Sequence, residues 1–142
     1  MNNNCFSKYL WLSLLGFATA AMAKNTIEMC EANMETVAQV SHCLDGIKKN
    51  KDRELQTWVN NQTFILQELA NNSGQSTSLN MFKRSQRNFI RYRENNCRWQ
   101  YLVLAPDASA AIAYKKCYNT LTKYRIEELT QYRIEELTQL NK

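Results

Sequence analysis

The stretch that most limits the possible folds of this chain runs from Gln86 to Cys97. Placed on a helix at about 100° per residue, this stretch and its flanks divide into two opposed faces. One face is basic and carries four arginines: Arg84, Arg87, Arg91 and Arg98. The opposite face is apolar and carries Leu79, Phe82, Phe89, Ile90 and Cys97. A helix with one apolar face needs a partner surface, so we predict that the segments before and after it pack against it.

Two polar side chains interrupt this apolar face. Gln86 and Arg93 both lie in the middle of it. An arginine at such a position must either extend to solvent along its aliphatic stem or meet acceptors inside the protein. The helix therefore carries a buried polar feature as well as core residues.

The first 23 residues have the pattern of a cleaved signal peptide. Lys8 supplies a positive charge, residues 9–20 form an apolar run, and Ala21-Met22-Ala23 is a small-x-small cleavage site. The apolar run is too short for a comfortable membrane span of about 20 residues. We expect an exported protein, periplasmic or secreted and not transmembrane, that begins at Lys24. Because this peptide carries one lysine and no acid, its loss lowers the formal net charge of +5 by one.

Four cysteines remain after residue 23: Cys30, Cys43, Cys97 and Cys117. An even set in an oxidising compartment predicts two disulfides, with three possible pairings. A zinc site is the alternative, but the usual close ligand pairs are missing and His42 is the only histidine. We therefore expect neither a metal nor a cofactor.

The composition predicts an all-α protein, a small antiparallel bundle stapled by two disulfides. The chain has three glycines and one proline, and no run alternates apolar and polar residues as a half-buried strand would. The predicted helix boundaries follow capping and breaking residues. The first predicted helix runs from Asn33 to about Leu44 and is interrupted at Gly46, and the second begins at Asn50. A linker from Asn71 to Thr77 follows. The third helix is capped by Ser78 and ends near Leu104, before Pro106, and the fourth begins at Asp107 or Ser109.

This helix order indicates a disulfide pairing. If the third and fourth helices are antiparallel, Cys97 and Cys117 meet across their hairpin, and such a bridge contributes about 3 kcal/mol in the chain-entropy model. Cys30 and Cys43 are then left to pair. They cannot share one continuous helix, in which they would lie about 20 Å apart, so we expect Cys30 on an extended arm that folds back.

The C-terminus contains an internal repeat. The segment Tyr124–Gln131 recurs without change as Tyr132–Gln139. Eight residues rotate a helix by about 80° beyond two full turns, so the second copy cannot bury the same face. We interpret residues 24–131 as one helical domain and residues 132–142 as a duplicated tail that adds little to the core.

Several of these residues together resemble the LprI-type lysozyme-inhibitor domain. The resemblance covers about residues 30–129 and is carried by Gln86, Phe89, Tyr92-Arg93, Cys97, Ser109, Cys117, Thr122, Arg125 and Leu129, with Cys30, Cys43, Asp52, Leu55 and Gln56 in the N-terminal half. The chain departs from that pattern at two places: Phe89 stands where tryptophan is usual, and Asp107-Ala108-Ser109 replaces Gly-Gly-Ser. Glycine adopts positive φ readily and the replacing residues do not, so we expect the loop geometry to differ there.

Arg93, Arg125, Gln86 and Asp52 form a predicted polar network that fixes the helices relative to one another. That role is structural. No catalytic site is predicted, because Cys43 beside His42 belongs to an expected disulfide and no serine, phosphate-loop or metal motif is present. We interpret the protein as not an enzyme.

The function implied by the resemblance is binding and inhibition of lysozyme or a related muramidase. The candidate binding loop comprises Leu104, Pro106, Asp107 and Ser109, clamped by Cys97–Cys117, and would enter the glycosidase cleft. Animal-type lysozymes are basic, so binding would need a local acidic patch, for which we suggest Glu127 and Glu128 with Asp107.

Two other interpretations remain open. In the first, the arginines at positions 84, 87, 91 and 98 bind an anionic cell-envelope glycan or lipid, without inhibitory activity. Export makes nucleic acid an unsuitable partner for them. In the second, the protein is a structural or stress-response protein without a small ligand. The oligomeric state is not predicted.

Overall fold

The computed structural model describes residues 26–74 and 76–140, with side chains described as far as Arg133. The predicted signal peptide lies outside these residues. The described chain forms four helices and no strand: α1 (Ile27–Asn33), α2 (Val37–Ser73), α3 (Ser76–Leu104) and α4 (Ser109–Leu140). The all-α prediction is confirmed.

The three long helices form an up-down-up bundle. α3 runs antiparallel to α2 after a tight turn at Gly74, and α4 runs antiparallel to α3 after the turn at residues 105–108. α2 and α4 are therefore parallel, and Lys115 of α4 pairs with Asp45 of α2 near the start of both helices. The short α1 packs against the first part of α2. This arrangement confirms the predicted antiparallel bundle.

The apolar core lies in two clusters on either side of a polar layer. Cys30, Leu44 and Ile47 form the first cluster, near α1. The second consists of Leu55, Ile126 and Leu129, against which Trp58, Val59, Phe82 and Phe89 pack. Between the clusters lie two buried polar side chains, Arg93 and Thr122. Of the apolar face predicted for α3, Leu79 and Cys97 are buried, whereas Ile90 is partly exposed.

The predicted interruption at Gly46 is wrong. α2 continues through Gly46 and Asn50 for 37 residues, because one glycine costs a helix only about 1 kcal/mol and tertiary packing outweighs that cost. The break lies earlier, before Thr36. The hydroxyl of Thr36 accepts from the Gln39 backbone N–H, and the Gln39 side chain accepts from the Thr36 backbone N–H. This capping box starts α2, and Asn33, the predicted cap, is the last residue of α1.

Both predicted disulfides are present. Cys97 and Cys117 join α3 to α4 with their Cα atoms 5.4 Å apart, and Cys30 and Cys43 join α1 to α2 with theirs 5.7 Å apart. Cys30 and Cys43 do lie in separate segments, as the length argument required. The segment with Cys30 is a helix capped by Thr26, however, and not an extended arm.

The turn between α2 and α3 is shorter than predicted. α2 extends to Ser73, and Gly74 ends it with φ 72° while its N–H donates to Ala70 O. α3 begins at Ser76, so Ser78 lies inside the helix and does not cap it. The Asn71–Thr77 linker is therefore mostly helical.

The turn between α3 and α4 needs no glycine. Among the residues that the structure describes, only Gly74 has positive φ, so Asp107 and Ala108 adopt ordinary backbone conformations. The Asp107 N–H donates to Leu104 O, and Asp107 Oδ1 accepts from the Ser109 N–H at 2.7 Å. An aspartate side chain thus organises the turn, and α4 starts at Ser109, one of the two predicted starts.

The backbone of α4 continues through the repeat as far as Leu140. Tyr132, the first residue of the second copy, lines a cavity of about 260 Å³ with Leu66, Phe82 and Leu129. The first residue of the proposed tail therefore still contacts the end of the bundle.

Candidate functional site

The end of the α3–α4 hairpin carries exposed apolar side chains. Leu102 is 61% exposed and Val103 is 71% exposed, and Leu104 and Trp99 beside them are also exposed. This group, Trp99, Leu102, Val103 and Leu104 with the turn at residues 105–109, is called the apolar tip below. The predicted binding loop forms its outer edge. Single exposed apolar residues are ordinary, but several together mark a contact surface.

Two cross-links behind the apolar tip restrain it. The disulfide Cys97–Cys117 joins the two helices two turns from the end of α3. In addition, the Tyr114 hydroxyl on α4 donates to Glu94 on α3 at 2.7 Å. Burial raises the pKa of Tyr114 to about 12, and the Glu94 carboxylate adds to the rise, so this hydroxyl keeps its proton at neutral pH.

Acidic residues lie beside the apolar tip on α1, between α1 and α2, and in the α3–α4 turn. Glu31 and Glu35 line a groove of about 330 Å³ together with Val37, Ser109 and Ile112. Asp107 is exposed, and its hydrogen bonds from Ser109 lower the pKa of its carboxyl, so it is ionised at neutral pH. This end of the bundle therefore presents carboxylates next to apolar side chains.

The acidic patch suggested from the sequence does not form. Glu127 lies 18 residues beyond the start of α4, which places it about 27 Å along the axis from the turn that holds Asp107. Glu127 and Glu128 are instead paired with Lys123 and Arg125 on α4 itself. The sequence analysis expected an extended arm at Cys30 and did not predict α1. It therefore could not place the acidic residues of α1 and its flank beside the turn.

Arg93 is the centre of the polar layer and is only 6% exposed. Its guanidinium donates to Thr122 Oγ1 at 2.7 Å, lies 3.5 Å from Asp52 Oδ1, and stacks 3.8 Å from the centroid of the Tyr118 ring. Asp52 also accepts from the Tyr118 hydroxyl at 2.9 Å and from Lys48 at 2.6 Å. One arginine therefore connects all three long helices.

Two pKa shifts reflect the same layer. Burial raises the pKa of the Tyr118 hydroxyl. The positive charge of Arg93 opposes this rise, and the hydrogen bond to Asp52 adds to it. Burial alone would lower the pKa of Lys48, but the hydrogen bond to Asp52 and the further interactions with Tyr118 and the Asp52 charge together outweigh burial, so the pKa of Lys48 is raised. Both groups therefore keep their protons at neutral pH, and the layer is built around the Asp52 carboxylate.

Arg125 forms a second polar group one layer further along the bundle. It donates to Gln86 at 3.2 Å, to Ser85 at 3.3 Å and to Glu128 at 2.8 Å. The Phe89 ring lies between the two guanidinium groups, 5.4 Å from Arg93 and 5.6 Å from Arg125. The four residues proposed as one network thus form two groups, Arg93 with Asp52 and Arg125 with Gln86, separated by an aromatic ring.

Of the buried polar side chains on α4, the sequence analysis placed Arg125 in the predicted network but not Asn119 or Thr122. Asn119 is buried and donates to Leu44 O at 3.1 Å, and Thr122 is fully buried. Lys115 of the same helix donates to Ser41 and Asp45 on α2. Asn119, Thr122 and Arg125 recur every three residues, in line with the core residues Ile126 and Leu129. That spacing is the signal that could have placed them inside.

The four predicted stripe arginines lie on the outer face of α3. Arg84, Arg87, Arg91 and Arg98 are all exposed, and within the described residues none of them makes an ion pair or a side-chain hydrogen bond. This set is called the arginine stripe below.

The residues weighed as nucleophile and base do not form a reactive pair. Cys43 is bonded to Cys30, and His42 beside it is exposed on α2. Across residues 26–74 and 76–140, no group of three or more His, Cys, Asp or Glu side chains is placed to hold a metal ion. In the same ranges, no helix combines the length and apolar character that crossing a bilayer requires.

In the comparison with known proteins, a family model described as lysozyme inhibitor LprI matches residues 30–129. Neither the curated proteins nor the solved structures gave a match. The matched segment begins at Cys30 and ends at Leu129, so it contains both disulfides, the polar layer, the apolar tip and the arginine stripe. By this match over most of its length, the chain belongs to the LprI lysozyme-inhibitor family.

Proposed function

We propose that this protein inhibits a lysozyme or a related muramidase, and that the apolar tip is the part that enters the enzyme's cleft. Membership of an inhibitor family supports the class of function. The observation that carries the assignment to the tip is its exposed Leu102 and Val103, cross-linked from behind by Cys97–Cys117. A restrained apolar projection loses little conformational freedom on binding, which favours affinity.

The chemistry of a muramidase cleft matches this end of the bundle. Glycoside hydrolysis uses two carboxylic acids that face each other across the scissile bond. An inhibitor without catalytic groups needs only to fill that space and exclude the glycan. Leu102 and Val103 supply the apolar contact, while Glu35 and Asp107 give a basic enzyme a local region of opposite charge. The overall positive charge of the chain then matters less than the charge at the contact.

We also propose that the protein acts outside the cytoplasm, in the periplasm or as a secreted protein. Two disulfides are stable in such compartments, and muramidases act on the cell wall there. The proposed signal peptide of residues 1–23 agrees with this location.

The direct test measures lysis of a cell-wall suspension by a basic lysozyme in the presence of the purified protein, residues 24–142. We expect inhibition that increases with protein concentration, and a fall of at least tenfold in inhibitory affinity for Val103→Asp, because a carboxylate would be desolvated in the contact. Phe64→Asp is the matched control, since Phe64 is equally exposed on α2 but distant from the tip. No inhibition of any muramidase tested would refute the function. Equal losses in the two variants would refute the assignment to the tip.

The charge contribution can be separated from the apolar one. Glu35→Lys should weaken inhibition of a basic lysozyme, whereas Glu68→Lys, an exposed glutamate on α2, should leave it unchanged. The difference between these variants should shrink as salt is added, because exposed charges are screened. A difference that persists at high salt would contradict an electrostatic role for this groove.

A further inference from the structure

α3 differs from the other helices in its unpaired cations: among the described residues, five of its six cations have no acidic partner, and only the buried Arg93 has one, Asp52. On α2 and α4 the described cations are mostly paired, for example Lys48 with Asp52, Lys115 with Asp45, and Lys116 with Glu31. α3 contains six cations and only one carboxylate, Glu94. That carboxylate is engaged by Tyr114 toward α4. Most of the unpaired positive charge of the described residues therefore lies on the exposed side of α3.

The arginine stripe is straight and long. Arg84, Arg91 and Arg98 are spaced seven residues apart, so they lie nearly in line on one face, and Arg87 lies beside them. From the first to the last the line extends about 21 Å along the helix axis. A single small anion would contact one or two of these side chains, whereas an extended polyanion would contact all four.

Aromatic side chains flank this line. Tyr92 is 57% exposed and Trp99 is 55% exposed, and they are also seven residues apart, on one side of the stripe. The Trp99 indole N–H donates to Asn96 at 3.3 Å, which orients the ring on the helix surface. Exposed rings at this spacing offer flat faces to ring-shaped units of a bound polymer, and the guanidinium groups offer paired donors to its anionic groups.

We infer that the outer face of α3 binds a linear anionic glycan, with the arginine stripe on its charged groups and Tyr92 and Trp99 against its sugar rings. A lipid surface fits this face less well. The exposed face of α3 carries guanidinium groups along its midline. A helix that lies in a membrane interface instead buries an apolar face among the lipids. The site does not depend on muramidase inhibition, and it would hold the protein on the anionic polymers that surround a cell wall.

The test uses residues 24–142 and heparin as a linear polyanionic probe, with neutral dextran and vesicles containing anionic phospholipid as comparisons. We expect heparin binding that weakens steeply with salt, because each charge contact releases counterions. Arg87→Glu with Arg91→Glu should lower the affinity at least tenfold and flatten the salt dependence. The matched control is Lys49→Glu with Arg53→Glu, which makes the same change in net charge on the exposed surface of α2 and should change affinity far less.

A second pair of variants tests the aromatic contribution. Replacing Tyr92 and Trp99 by alanine should weaken heparin binding severalfold without changing the salt dependence, since no charge is removed. Trp99 emission should also change on binding, and this change should be absent in Trp99→Phe. Circular dichroism of each variant establishes that the helices are intact.

Several outcomes would overturn the inference. Equal losses from the α3 and α2 charge reversals would mean that heparin responds to net charge alone. Tighter binding to the anionic vesicles than to heparin would assign the face to a membrane surface instead. Binding to dextran comparable with heparin, or no effect of the aromatic substitutions, would remove the proposed contact chemistry. Because none of these measurements uses a muramidase, they succeed or fail separately from the proposed inhibition.

Discussion

At the scale of single residues, the polar layer depends on how a guanidinium group can be buried. Arg93 has a hydroxyl, a carboxylate and an aromatic face around it, from Thr122, Asp52 and Tyr118. A guanidinium is weakly hydrated and stacks on rings, so this environment replaces much of what water provided. A lysine could not use the same partners, because its compact charge is more strongly hydrated.

The partners of Arg93 differ in exposure, and this difference gives a testable ranking. Thr122 is fully buried, whereas the Asp52 side chain is about one-third exposed and shared with Lys48. We expect Thr122→Val to cost about 1–3 kcal/mol, since it removes a buried acceptor from a charged donor, and Asp52→Ala to cost less because water can replace the carboxylate. Urea unfolding followed by circular dichroism measures both changes.

Thr130→Val is the control for this comparison. Thr130 donates to Ile126 O as Thr122 donates to Tyr118 O, four residues back on the same helix, but no arginine among the described residues donates to Thr130. The excess cost of Thr122→Val over Thr130→Val therefore reports the contact with Arg93. If the two substitutions cost the same, Arg93 does not depend on Thr122.

At the scale of helices, the sequence predicted α3, α4 and the turn between them, but it divided α2 at Gly46 and did not predict α1. The apolar face of α3 and the helix stop at Pro106 predicted both helices and the short turn between them, and a short turn favours antiparallel pairing. Gly46 was misjudged, because helix-breaking propensity was given more weight than the packing of Leu44 and Ile47 on either side of it. The true start of α2 was readable from Thr36 and Gln39, which have the spacing of a capping box.

Gly46 itself offers a test of this explanation. It lies inside α2, and no atom outside its own helix turn would approach an added Cβ within 4 Å. Gly46→Ala should therefore stabilise the protein by about 0.5–1 kcal/mol, the difference in helix propensity. Gly74→Ala should do the opposite, because φ at Gly74 is 72° and a side chain is strained there although space is available. Thermal and urea unfolding of the two variants gives both signs. A destabilised Gly46→Ala would mean that α2 is bent or broken at that position.

At the scale of the whole molecule, the candidate surfaces were only partly predictable. The arginine stripe follows from helical spacing alone, and its residues are exposed as that spacing requires. The apolar tip is larger than the predicted loop, since the exposure of Leu102 and Val103 depends on which side of α3 the other helices cover. The acidic side of the tip depends on the position of α1, which no local pattern gives, because α1 is held there by the disulfide from Cys30 and by Lys116 on Glu31.

The two disulfides connect these scales and should differ in their effect on function. Their loops span 20 and 13 residues, so in the chain-entropy model each bridge contributes about 3 kcal/mol and removing either should lower stability by similar amounts. Only Cys97–Cys117 joins the two helices that form the apolar tip.

We therefore expect Cys97→Ala with Cys117→Ala to weaken muramidase inhibition at least tenfold under conditions in which the variant remains folded, because the freed tip must be ordered again on binding. Cys30→Ala with Cys43→Ala is the matched comparison, since it loses similar stability but leaves the hairpin clamped, and its inhibition should fall less. The measurement is lysis inhibition at a temperature at which circular dichroism gives both variants as folded. Equal losses of inhibition would show that the α3–α4 clamp has no particular role in the contact.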